Sequence, residues 1–152
     1  NPEWQLEIYG KFDTSEGLET IAKSLEIENS VRFFEPQINI INNYLESSIY
    51  VMSSRFEGFG MVLIEAMACG IPCVSFNCPF GPGDIITNEV DGFLVENGNT
   101  NALAEKLNLL IEDKELRIKM GKSAKENVKR FLPDNIMLQW NELFESVAHQ
   151  KN

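Results

Sequence analysis

The chain has 152 residues, 43% of them hydrophobic and 24% charged, with a formal net charge of −10. That length and apolar content suit one cooperative core, and the acidic balance argues against nucleic acid or an anionic bilayer as a general surface partner. A small anion held by backbone N–H groups is not excluded, because those groups act locally. Three cysteines (Cys69, Cys73 and Cys78) accompany a single histidine, His149, so no metal site is expected. The cysteines read as semi-buried hydrophobes of a reduced, cytoplasmic chain.

In chain order, short apolar runs alternate with longer periodic ones. "WQLEIYG" predicts a strand ending at Gly10. "TSEGLETIAKSL" predicts a helix capped by Thr14 or Ser15, with Leu18, Ile21, Ala22 and Leu25 on one face. "SVRFFE" reads as a strand and "INIINNYLESS" as a helix. "SIYVMSS" is nearly all apolar and is expected to be a central strand buried on both faces. After the apolar stretch that follows come a strand, "IPCVSFN", a short helix from "GPGDII" and another strand, "DGFLVEN". "NTNALAEKLNLLIED" is a helix with Leu103, Leu107 and Leu110 in register, and two more helices close the chain, the last opening at Pro133.

Strands and helices alternating at this spacing predict an α/β fold, a Rossmann-like, mostly parallel sheet with helices on both faces. No signal peptide and no apolar run of transmembrane length is evident, and the first strand begins only a few residues in. The chain is therefore expected to be a piece of something longer.

Ligands of open α/β sheets bind beyond the carboxyl ends of the strands, and residues 53–60 lie at such an end. Gly58 and Gly60 let the backbone turn tightly and approach a ligand. The N–H groups of Gly60, Met61 and Val62 would then face outward at a helix N-terminus, an arrangement suited to phosphate. Glu65, one turn further in, is placed to accept bonds from the hydroxyls of a sugar such as a ribose diol. Glu57, on the loop, would contact another part of the same ligand. The plainer alternatives are that "GFG" is a connecting turn and that Glu65 is a surface residue paired with a lysine. A second loop, "NCPFGPGDII", is either a stiff turn with Asp84 capping the next helix or one wall of a ligand cleft. No nucleophile–base pair is visible, and "MGKSAK", although similar to the end of a phosphate loop, has no glycine-rich run before it.

The stretch "SSRFEGFGMVLIEAMACGIPCV" resembles the signature of the retaining glycosyltransferases of family 4, in the C-terminal, donor-binding domain of their two-domain GT-B fold. That signature is a Glu, seven residues and a second Glu, met here by Glu57 and Glu65. "DGFLVENGNTNALAEKLNLLIEDKELRIKMG" and "FLPDNIMLQWNELF" are similar to the family too, so the likeness covers essentially the whole chain. It implies that Glu65 bonds the ribose hydroxyls and that Glu57, the catalytic candidate, contacts the donor sugar near the reacting carbon. Gly58, Phe59 and Gly60, with Met61 and Val62, would surround the donor sugar and diphosphate. The donor would be a UDP- or GDP-sugar, with no metal and no further cofactor, and the acceptor a polysaccharide or a lipid-linked glycan. The acceptor would attack from the face that the leaving phosphate departs from. The parent enzyme would be cytoplasmic, or peripheral at the inner face of the membrane.

Departures from the family pattern carry their own expectations. The Arg and Lys that family members direct at the diphosphate lie before the start of this sequence, as does the acceptor domain. The usual glycine-rich turn is replaced by "GKFDTSEG". The "GPGD" turn resembles a subset in which the position of Gly83 is often basic. Residues 1–132 would form the nucleotide-sugar-binding domain and 133–152 a helix crossing toward the other half, which would leave Trp140, Leu143 and Phe144 partly exposed unless they pack on their own domain. Without the family's first strand, the strands of "WQLEIYG" and "SIYVMSS" would have to pair directly, leave a gap or borrow a strand in a swapped oligomer. The chain alone is expected not to catalyse transfer. Alternatives are a sugar-nucleotide epimerase domain of the same fold, or a non-catalytic α/β binding module such as a receiver or flavodoxin-like sheet.

Overall fold

A computed structural model describes residues 1, 3–11 and 17–149, which divide into two compact units, Asn1–Ile40 and Ile41–Asn152. In the first unit, β1 (Leu6–Tyr9) runs parallel to β2 (Val31–Phe34), with Leu6 opposite Val31 and Tyr9 opposite Phe34. The last of these pairs stacks its rings 4.8 Å apart, a cross-strand contact of the kind that stabilises a ladder. Helix α1 (Leu18–Ser24) joins the two strands. Its expected cap, Thr14 or Ser15, lies outside the described residues, as does Asp13. Of its predicted apolar face only Ala22 is buried, while Leu18, Ile21 and Leu25 stay exposed. Two short strands offer too little surface to cover a helix face.

The second unit contains α2 (Ile41–Glu46), β3 (Tyr50–Met52), α3 (Met61–Ala68), β4 (Cys73–Asn77), α4 (Pro82–Ile85) and β5 (Gly92–Glu96). Then come α5 (Thr100–Glu112), α6 (Lys114–Asn127), a single 3-10 turn (Val128–Phe131) and α7 (Pro133–His149). The sheet order is β3-β4-β5, all parallel. This corrects one expectation. The central strand is β4, buried from Cys73 to Phe76, whereas β3 lies at the edge of its ladder with only Met52 buried. Both segments are apolar runs, and position within a sheet is a tertiary property that composition does not encode. Among the described residues the strands form two sheets, β1-β2 and β3-β4-β5.

Val74, Phe76, Phe93 and Val95 pack with Leu103, Leu110 and Met120 to form the core of this unit, and Leu107 lies partly buried against it. The helices that cover it are capped by side chains at their N-termini. Asn99 accepts from the Ala102 N–H at 3.0 Å and Asp113 from the Leu116 N–H at 2.8 Å. Gly121, within "MGKSAK", sits in mid-helix where a Cβ would stand 2.2 Å from the Gly70 carbonyl oxygen. It lets α6 cross the end of α3 backbone to backbone. Helix α7 buries none of its side chains, and Trp140, Leu143 and Phe144 are exposed rather than packed on their own domain. Among the described residues, no helix is long and apolar enough to cross a membrane.

Candidate functional site

The candidate site belongs to the second unit and begins where β3 ends. Residues 53–60 leave the strand and deliver the chain to α3 through Gly60, whose φ of 93° is a left-handed conformation that favours glycine. Gly58 has no such requirement, and a Cβ there would meet nothing within 4 Å. Leu63 N–H donates to the Gly60 carbonyl at 2.9 Å. Met61 and Val62 precede it, so their N–H groups have no acceptor inside the helix. Both residues are exposed.

The loop is held from three sides. The Arg55 carbonyl accepts from the Asn97 side-chain amide at 3.1 Å, which ties its start to the end of β5. The Phe59 ring meets Phe131 edge-on with centroids 5.8 Å apart. Gly81, at φ 92°, comes so close that a Cβ there would stand 2.0 Å from the Phe59 carbonyl oxygen. The two glycine-rich loops singled out in the sequence are therefore in backbone contact. Asp84 acts not as the N-cap of α4 but from within it, its carboxylate accepting from the Gly81 N–H at 3.3 Å. Arg130 donates through one guanidinium nitrogen to the carbonyls of Asp84 and Ile85, at 2.8 and 2.7 Å, and lies over the Phe131 ring. At Gly83 a Cβ would stand 2.9 Å from the Asn77 side-chain oxygen, so a larger residue there displaces Asn77.

Glu65 lies in the second turn of α3 and is exposed, and Glu57 is half-buried on the loop. The partner of Glu65 is a phenol rather than a lysine: the Tyr44 hydroxyl donates to its Oε2 at 3.2 Å. Tyr50, in β3, senses both carboxylates. Burial pushes its phenol up to about 12, with smaller contributions in the same direction from Cys73, Glu57 and Glu65. Tyr44 is likewise raised, first by burial and then by Tyr50 and Glu65. Neither tyrosine was a candidate from sequence, nor were Asn97, Arg130 and Phe131. Their partners lie far along the chain, and no local pattern in the sequence pointed to them. Cys73 and Cys78 are buried and free, and burial raises the Cys73 thiol, which keeps it protonated and unreactive.

This geometry is the parallel α/β arrangement of GT-B glycosyltransferases. Anabaena HepE, solved in complex with UDP, superposes with a TM-score of 0.87 at 27% identity, covering 96% of this chain and 42% of that one. The family model for glycosyl transferases group 1 matches residues 1–127, and the chain belongs to that family. An uncharacterized glycosyltransferase of Haemophilus influenzae is 38% identical over 140 residues, covering 91% of this chain. The amylovoran biosynthesis glycosyltransferase AmsD of Erwinia amylovora is 32% identical over 140 residues, covering 92% of it. The chain spans 39% of the length of each of these two relatives.

Proposed function

We propose that this chain is the donor-binding part of a family 4 glycosyltransferase that moves a sugar, with retention, from a nucleoside diphosphate to a polysaccharide or lipid-linked acceptor. One observation carries the proposal: a helix N-terminus with uncommitted N–H groups at Met61 and Val62 is flanked along the chain by two carboxylates, Glu57 on the loop before it and Glu65 one turn in, the latter held by the Tyr44 hydroxyl. UDP bound to the similar HepE and the amylovoran-biosynthesis role in the name of AmsD support the donor and acceptor classes.

In this reading Glu65 accepts from the ribose hydroxyls and Glu57 contacts the donor sugar beside its reacting carbon. Gly58, Phe59 and Gly60 line the sugar and diphosphate. The N–H groups of Met61 and Val62 meet the charge that grows on the diphosphate as the sugar–phosphate bond breaks. Residues 1–132 serve as the nucleotide-sugar domain and 133–152 as the helix that reaches toward the acceptor half. A cytoplasmic location, with the parent enzyme peripheral at the inner membrane face, belongs to the same proposal. The epimerase alternative is weaker, because its resemblance to the Glu57–Glu65 signature is poorer.

Calorimetric titration with UDP and with GDP tests this. One nucleotide should bind, about tenfold more weakly to Glu65→Ala, as expected for loss of charge-assisted bonds to a ribose. Equal binding by wild type and variant refutes the ribose assignment. Sugar transfer by this chain without an acceptor domain would refute the division of labour.

A further inference from the structure

Glu65 is an exposed glutamate with freely rotating side-chain bonds, yet a diol-binding carboxylate must present its oxygens in one orientation. Tyr44, in α2, supplies what such a side chain lacks. It is 8% exposed, and its ring meets Tyr50 edge-on, with centroids 5.8 Å apart at 69°. That packing fixes the direction of its O–H, which donates to Glu65 Oε2 at 3.2 Å. A buried phenol needs an acceptor, and an ionised carboxylate has about four lone-pair sites, so one bond to Tyr44 leaves enough for two sugar hydroxyls.

Building on the ribose role proposed for Glu65, we infer that Tyr44 is a positioning residue that holds the Glu65 carboxylate for a vicinal diol and sets the preference for ribonucleotides over deoxyribonucleotides. The bond joins the end of a packed ring on one helix to the tip of an exposed side chain on another. Removing the hydroxyl alone, in Tyr44→Phe, therefore leaves the ring contact with Tyr50 intact while releasing Glu65.

The test titrates wild type, Tyr44→Phe and Glu65→Ala with UDP and with a UDP analogue lacking both ribose hydroxyls. Tyr44→Phe should weaken UDP about fivefold, within the net range of one ordinary hydrogen bond, and leave the analogue within about twofold of wild type. Equal weakening of both nucleotides means a merely structural tyrosine and overturns the inference, as does no change in either. If Glu65→Ala fails to distinguish UDP from the analogue, the ribose reading itself falls. If it does distinguish them and Tyr44→Phe does not, only the Tyr44 role falls. A ligand-free measurement decides the positioning claim whatever the nucleotide does. NMR couplings across the Glu65 Cα–Cβ bond should report one rotamer in wild type and averaging in Tyr44→Phe, and identical couplings in the two overturn it.

Discussion

Replacing Gly81 by alanine should damage the candidate site more than it damages the fold. Two costs are separable. The first is the left-handed backbone, φ 92° at Gly81, which penalises any Cβ by about 1 kcal/mol. The second is steric. The new Cβ would stand 2.0 Å from the Phe59 oxygen, against 3.4 Å at the near edge of ordinary contact, so 1.4 Å must be found between two stretches of backbone. Neither is a flexible side chain, and the segment that gives way is the one leading into Gly60, Met61 and Val62. Displacement of about 1 Å in a positioned group costs up to about a hundredfold in function. Gly70→Ala is the matched control, since its φ is 79° but its nearest neighbour would be at 3.7 Å, so it carries the backbone cost alone. Urea unfolding and UDP titration on both variants read the two costs. Gly81→Ala should lose at least about tenfold in UDP affinity and Gly70→Ala less than about twofold. Gly81→Ala binding UDP like wild type, while no less stable than Gly70→Ala, would show that the two loops do not constrain each other.

Two further outcomes follow from burial. Leu110 is fully buried in the core, and Leu110→Ala should cost about 3 kcal/mol, lowering the urea midpoint by about 1.5 M; a shift below about 0.5 M would mean that the core cluster is not cooperative. The Tyr50 phenol titrates near 12 when folded against 10.0 when unperturbed, so both states hold the proton below pH 10. Between about pH 10 and 12 the unfolded chain releases it first, and stability falls as pH rises, by about 2 kcal/mol from this residue once solvent screening of the half-buried phenol is discounted. Unfolding measured across that window should be less pH-dependent in Tyr50→Phe, and identical slopes in the two proteins would contradict the burial of the phenol.

The features readable in the sequence were those set by neighbours a few residues apart. The Leu103–Leu107–Leu110 spacing and the Glu57-to-Glu65 interval around Gly60 both express local geometry. What the sequence did not disclose depended on distant partners. The exchange of β3 and β4 as central strand is decided by which apolar run acquires a neighbour on each side. Tyr44 and Arg130 show the same limit, because their partners lie 21 and 46 residues away. The "MGKSAK" stretch was already set aside as a phosphate loop, but the packing role of Gly121 was not legible, since a glycine signals close backbone approach without saying to what.

Arg130 and Phe131 are adjacent, yet one grips the carbonyl end of α4 and the other leans on Phe59 in the neighbouring loop. With Gly81 closing the contact between those loops, the three attachments work like a bracket. The loop of residues 53–60 and the "GPGD" turn are therefore expected to travel as one wall, so that opening the candidate site requires motion elsewhere along its rim. The bracket is also the last structure before Leu132 and α7, so any pull on that exposed helix reaches both halves of the wall at once and in the same direction.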